Sequence, residues 1–207
     1  MALPRLPAVQ KLLRRPKPGS GDFSWDLEEY VPGNKLTLFF RGEDLYAAMA
    51  TAIEEAKETV NLETYIFGGD KTGRAFADLL MRAAKRGVRT RLIYDSVGSL
   101  DLTPEMETLM RNAGVQILEY HPVAPWRPRW SWNKRAHRKI LICDGKIGFV
   151  GGMNLCDDHA PKSAGGNDWP DAHARVEGPA AYDLDRLFRS VWHGETGRWF
   201  DSSGHPE

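Results

Sequence analysis

Apolar positions recur along the chain in two alternating rhythms. Leu36 to Phe40 reads as a short strand. Leu45, Ala48, Met49, Ala52, Ile53 and Ala56 then fall at helical spacing, which predicts an amphipathic helix from about Glu43 to Lys57. Val60 to Phe67 comes next as a strand, with Val60, Leu62, Thr64 and Ile66 on one face and the acid Glu63 on the other, where it needs a partner. Phe76, Leu79, Leu80 and Ala83 mark a second helix that stops at Gly87, and Val88 to Tyr94 is the next strand. Thr103-Pro104 opens a third helix with Met106, Leu109, Met110 and Ala113 as its stripe, and Gly114 ends it before a strand from Val115 to Glu119. Strand and helix alternate throughout this part, so the pattern predicts an α/β fold with a mixed, largely parallel sheet covered by helices.

The rhythm breaks between His121 and Arg138. That stretch holds Pro122, Pro125 and Pro128, three tryptophans (Trp126, Trp130, Trp132) and the cations Arg127, Arg129, Lys134, Arg135 and Arg138. Mixed Trp and Arg suit a lipid headgroup layer or stacked bases, and equally a loop packed by its own tryptophans. Beyond it lie two apolar runs, Ile140–Cys143 and Ile147–Val150, joined by Asp144-Gly145, which predicts a β-hairpin. Pro179 opens a last helix striped by Leu184, Leu187, Phe188, Val191 and Trp192.

The hairpin carries the chemistry. His137 and Lys139 are two apart and project from one face at its mouth. Gly151-Gly152 lets backbone come close to a ligand, and Asn154 offers an amide beside that gap. An imidazole, a fixed cation and an amide donor together suit a phosphodiester: the imidazole attacks phosphorus or moves a proton, and the donors hold the developing charge.

The spacing His137-x-Lys139-x4-Asp144, with Gly151-Gly152-x-Asn154 after it, resembles the signature of the phospholipase D superfamily, and most of all the first such motif of a bacterial cardiolipin synthase. Asn61-Leu62-Glu63-Thr64-Tyr65-Ile66-Phe67, Lys85-Arg86-Gly87-Val88-Arg89 and Trp169 to Pro179 extend the resemblance over about Asn34 to Trp192, with Pro170 where a basic residue is common. The resemblance implies a phospholipase D-like α/β/α sandwich and phosphodiester transfer through a phosphohistidine, most of all phosphatidyl transfer in cardiolipin synthesis, without metal or other cofactor. His137 would be the nucleophile or its acid/base partner. Lys139 and Asn154 would bind phosphate beside Gly152, and Asp144 would fix the hairpin more than do chemistry. Asp171 and, second, Glu63 are candidates to orient the histidine, on physical grounds.

The superfamily brings two such motifs to one site, and only one occurs here, with no internal repeat. The implied partners are therefore a phospholipid substrate, a membrane surface, and a second motif from another half-domain or from a homodimer. A metal-independent nuclease of the single-motif dimeric kind is the alternative, with nucleic acid as substrate.

Composition narrows this only a little. Lys plus Arg and Asp plus Glu are each 28, so any basic patch is local. Apolar residues at 42% and charged residues at 27% fit a globular protein. The two cysteines, Cys143 and Cys156, predict neither a zinc site nor a disulfide framework. His159 beside Asp157 and Asp158 is the one group that tempts a metal reading, and it reads as a loop. No run of 18 apolar residues occurs, so no transmembrane helix is predicted, and the resemblance then implies a cytoplasmic protein held peripherally at the inner membrane. The expected organisation is a flexible basic arm over residues 1–22, carrying Arg5, Lys11, Arg14, Arg15 and Lys17, a catalytic half-domain over 23–194 and a polar tail over 195–207.

Overall fold

A computed structural model describes residues 32–122, 126 and 135–197. The basic arm, Trp130, Trp132 and the end of the tail lie outside the described residues.

The helices form where the stripes call for them. α1 (Gly42–Glu55) buries Leu45, Met49, Ala52 and Ile53. α2 (Lys71–Lys85) starts at Asp70, whose side chain accepts the Gly73 N–H, and α3 (Pro104–Asn112) starts at Thr103, whose hydroxyl accepts the Met106 N–H. α4 (Pro179–Thr196) opens on proline and buries Ala181, Asp185, Phe188 and Trp192.

Among the described residues seven strands make one sheet: β1 (Lys35–Phe39), β2 (Thr59–Thr64), β3 (Arg89–Asp95), β4 (Gln116–Tyr120), β5 (Ile140–Cys143), β6 (Ile147–Gly151) and β7 (His173–Glu177), in the order β1-β7-β6-β5-β2-β3-β4. The sheet is mixed, as expected, but its balance differs from a largely parallel one. Only β2·β3 and β3·β4 pair in parallel, whereas β1·β7, β7·β6, β6·β5 and β5·β2 are antiparallel. The cause lies in the connections. Helices return the chain between β2, β3 and β4, so those strands run one way. The β5–β6 hairpin and β7 then insert between β1 and β2, which separates two strands that a helix joins and gives each an antiparallel neighbour.

The strand after α1 also ends earlier than its apolar run. β2 stops at Thr64, whose hydroxyl donates to the Ile66 carbonyl, and Phe67 instead bridges to Leu155.

Strand alternation sorts the two faces. Leu62, Leu141, Cys143 and Phe149 pack with residues of α1, α2 and α3 in the larger core. Ile93, Ile140 and Ile142 pack with Phe188 and Trp192 of α4 on the other side. The result is an α/β/α sandwich with the hairpin near the middle of the sheet. Gly148 has no side chain because α4 lies on it: a Cβ there would stand 2.8 Å from Leu184 Cδ1. A buried polar set also ties α4 down, with Asn61 Nδ2 donating to Asp185 Oδ1 at 2.8 Å and Arg189 donating to the same carboxylate.

Cys143 and Cys156 are free and buried, and burial pushes both thiols up, Cys156 to about 11. Among the described residues no helix is long and apolar enough to cross a membrane.

Candidate active site

β5 enters the sheet at the end where β2, β3 and β6 finish. The residues before its first rung therefore stand among the loops at that end. Leu141 faces the larger core, and by period-two alternation Lys139 and His137 share its face. Arg138, between them, points to the other face with Ile140. There it donates from Nε to Glu63 Oε1 at 2.8 Å.

This parity settles where Glu63 stands. Glu63 pairs with Ile140 across β2 and β5, so it lies on the α4 side, opposite the imidazole. Its carboxylate is fully buried, burial pushes its pKa up, and Arg138 opposes that rise. The partner that a mid-strand acid requires is thus Arg138.

Lys139 is buried at 6% exposure while His137 is exposed. Lys139 Nζ lies 3.1 Å from His137 Nδ1, 3.3 Å from Nε2 and 3.0 Å from the His137 carbonyl. An ammonium only donates, so the ring nitrogen it meets must carry the lone pair. Burial lowers the Lys139 pKa, and the charge of Asp171 pushes it back up. Tyr65 walls the pair: its ring centroid is 4.7 Å from that of His137 and 5.3 Å from Lys139 Nζ.

Asn154 reaches the same end from the chain after β6. Its Oδ1 accepts the Ile66 N–H at 3.2 Å, and Tyr46 donates its hydroxyl to the Asn154 carbonyl at 2.6 Å. With the oxygen anchored, the amide NH2 is the end left to donate to an anion.

The two glycines are occupied rather than open. A Cβ on Gly152 would lie 2.2 Å from Asp171 Oδ2, and one on Gly151 would lie 2.6 Å from His173 Cγ. Small residues at 151 and 152 thus admit Asp171 and His173 to the site. Asp171 Oδ1 accepts the Ala172 N–H, and its charge acts on Lys139 and His173. Among the described residues no hydrogen bond joins it to His137. His173 is 2% exposed, neither ring nitrogen has a hydrogen-bond partner among the described residues, and burial pulls its pKa down to about 4. Sequence reasoning misses it, although a histidine two residues from a candidate acid, at the start of a strand, is the available signal.

Asp144 sits at the other end of β5, five residues from Lys139 and so about 17 Å away along a strand. Its carboxylate accepts the N–H groups of Lys57, Glu58 and Thr59 at 3.0, 2.8 and 2.9 Å. With φ of 54° at Asp144 and 64° at Gly145, the pair forms the left-handed turn a tight hairpin needs.

His159 donates its Nδ1–H to the Trp169 carbonyl, 3.0 Å away, while Asp157 accepts from Thr72 and Asp158 from Asn167. Among the described residues no group of three or more such side chains is placed to hold a metal. A cleft of about 360 Å³ between α2 and α3, lined by Arg74, Met81, Met106 and Leu109, contains none of the site residues.

The family model described as "Cardiolipin synthase, PLD-like domain" matches residues 49–192. The cardiolipin synthase of Alkalihalophilus pseudofirmus is 38% identical over 156 residues, covering 75% of this chain and 31% of that one. Cardiolipin synthase A of Pseudomonas putida is 34% identical over 166 residues, covering 80% and 35%. The chain spans about a third of the length of these relatives. Among solved structures, the phospholipase D family member Nuc from Salmonella typhimurium superposes with a TM-score of 0.58 at 16% identity, over 81% of this chain and 97% of that one.

Proposed function

Because the chain belongs to the cardiolipin synthase, PLD-like domain family, we propose that it carries one half of a phosphodiester-transferring site, with phosphatidyl transfer between lipid alcohols as its reaction. One observation carries this reading: Lys139 Nζ is buried and held within hydrogen-bond distance of the exposed His137 ring.

In the proposed step Lys139 turns from the ring to the phosphate, and the lone-pair nitrogen of His137 that it frees attacks phosphorus. The P–N bond forms as the P–O bond to the leaving alkoxide breaks. An acid, the histidine of a second motif, gives the alkoxide its proton. The same group then takes the proton of the acceptor alcohol, whose oxygen displaces the imidazole. Lys139 and the Asn154 amide offset the charge on the equatorial oxygens. Asp171 supports the positive charge of Lys139 across the space that Gly152 leaves. Asp144 acts on the hairpin and not on the substrate. The roles can exchange, with His137 as the acid and the other histidine as nucleophile.

General acid help is worth about 10² to 10⁴ in rate, so the reaction requires a second motif, from a second copy or from another half-domain. The substrate would be met at a membrane surface, which the protein approaches from one side. The test quenches the active assembly with labelled phosphatidylglycerol and with labelled plasmid DNA, each with chelator. Acid-labile, base-stable label on the peptide holding His137, from lipid and not from DNA, is the expected result. Label from DNA alone would establish the nuclease alternative. Full-rate turnover by His137→Ala with no labelled histidine would overturn both.

A further inference from the structure

The turn after β3 touches both walls of the site. Asp95 ends β3 and is fully buried, and a buried carboxylate persists only where donors surround it. Its Oδ1 accepts the N–H groups of Val97 and Gly98 at 2.9 and 3.1 Å, which closes the turn on itself. Its Oδ2 does something the turn does not need. It accepts the N–H of Ala136 at 2.9 Å, 41 residues away, on the residue that precedes His137.

Ser99 closes the same turn, its N–H donating to the Asp95 carbonyl at 3.0 Å. Its hydroxyl accepts the Phe67 N–H at 2.9 Å and donates to the Tyr65 carbonyl at 3.0 Å. Tyr65 is the residue whose ring packs on His137 and Lys139. Gly98 allows the contact, because a Cβ there would lie 2.2 Å from the Tyr65 oxygen. Ser96 donates to the His121 carbonyl, which Arg135 Nη1 also meets at 3.0 Å, so the residue before Ala136 is held as well.

We propose that Asp95 and Ser99 are positioning residues: Asp95 sets the segment that carries His137, and Ser99 sets the Tyr65 ring against which His137 and Lys139 stand. Neither touches the reacting phosphorus. The proposal rests on the reading of His137 as the reacting group. Displacement of about 1 Å at such a group can cost about 10²-fold in rate, which is why one buried acid spends an oxygen on a distant backbone N–H. Asp95→Asn is the discriminating change. It keeps shape, but its single oxygen cannot serve both the turn and Ala136, and its NH2 would face one N–H donor with another.

The test is NMR of the whole chain with labelled histidine, together with amide exchange, and it needs no catalytic activity. The His137 signal is identified by its loss in His137→Ala. In Asp95→Asn, the Ala136 amide should exchange at least tenfold faster and the His137 resonance should move, while those of His159 and His173 stay. Ser99→Ala should move the His137 resonance through the Tyr65 ring current and leave Ala136 exchange unchanged. A folded Asp95→Asn with both signals as in the parent overturns the proposal. If Asp95→Asn does not fold, Ser99→Ala decides alone: an unmoved His137 resonance overturns it. Failure to trap label on any histidine while these shifts occur would sink the proposed reaction and leave the positioning role standing.

Discussion

Gly151 and Gly152 are neighbours with different tasks, and substitution should separate them. At Gly151 an added Cβ meets backbone, 2.4 Å from the Ala172 carbonyl oxygen and 2.5 Å from His173 Cα, and backbone cannot step aside. Gly151→Ala should therefore destabilise the fold by about 1–3 kcal/mol, read as a lowered urea midpoint. At Gly152 the three atoms nearest the Cβ all belong to the Asp171 carboxylate, which can swing away. Gly152→Ala should keep most of the stability yet slow labelling of His137 at least tenfold, because the charge that supports Lys139 has moved. Equal stability losses in the two variants would refute this division. His173 adds a pH signature. Its pKa is about 4 folded against 6.5 as the ordinary value, so the unfolded chain binds the extra proton between those limits. Its contribution is intact above pH 6.5 and is lost as pH falls towards 4, by roughly 3 kcal/mol at 1.36 kcal/mol per unit. His173→Phe should flatten that acid limb of a urea-midpoint profile, and an unchanged slope would mean that the ring is solvated at low pH.

Among the elements, the β5–β6 hairpin joins fold to chemistry. Asp144 shares a motif with His137 and Lys139, but it lies at the far tip, where it ties the turn to three N–H groups of the segment from α1 into β2. Asp144→Ala should cost about 2–3 kcal/mol, as three N–H groups lose a charged acceptor. The folded fraction should still acquire label at His137 within about threefold of the parent rate, an estimate from the roughly additive behaviour of distant sites. A labelling rate reduced a hundredfold at full stability would put Asp144 in the chemistry instead. The hairpin was legible because Asp-Gly between two apolar runs has one easy conformation, and the facing of His137 and Lys139 comes from a period of two. Glu63 was half legible: alternation placed it opposite the core face, but only the pairing of β2 with β5 reveals Arg138 beside it. The Asp95–Ser99 turn was not legible at all, because its bonds to Ala136 and Tyr65 span 41 and 34 residues and leave no local period.

For the whole molecule, strand direction marks the limit of periodicity. Alternation of strand and helix gives the order of elements along the chain, and β1, α1 and β2 do stand in that order. It is silent on β5, β6 and β7 entering between β1 and β2, because insertion is decided by pairing across the sheet. The same silence covers assembly: the proposed reaction calls for a second motif, and one motif in this sequence does not say whose it is. Mixing can supply that answer. If the chain alone turns over a phosphodiester, two copies must supply the two histidines of one site about a two-fold axis. Wild-type chains exchanged with His137→Ala chains at fixed total concentration then form productive pairs in proportion to the square of the wild-type fraction. Half wild type should retain about a quarter of the activity, since a pair lacking one histidine loses about 10² to 10⁴ in rate. Retention of half the activity would mean that each chain works independently of its copies, and would refute a site shared between two copies.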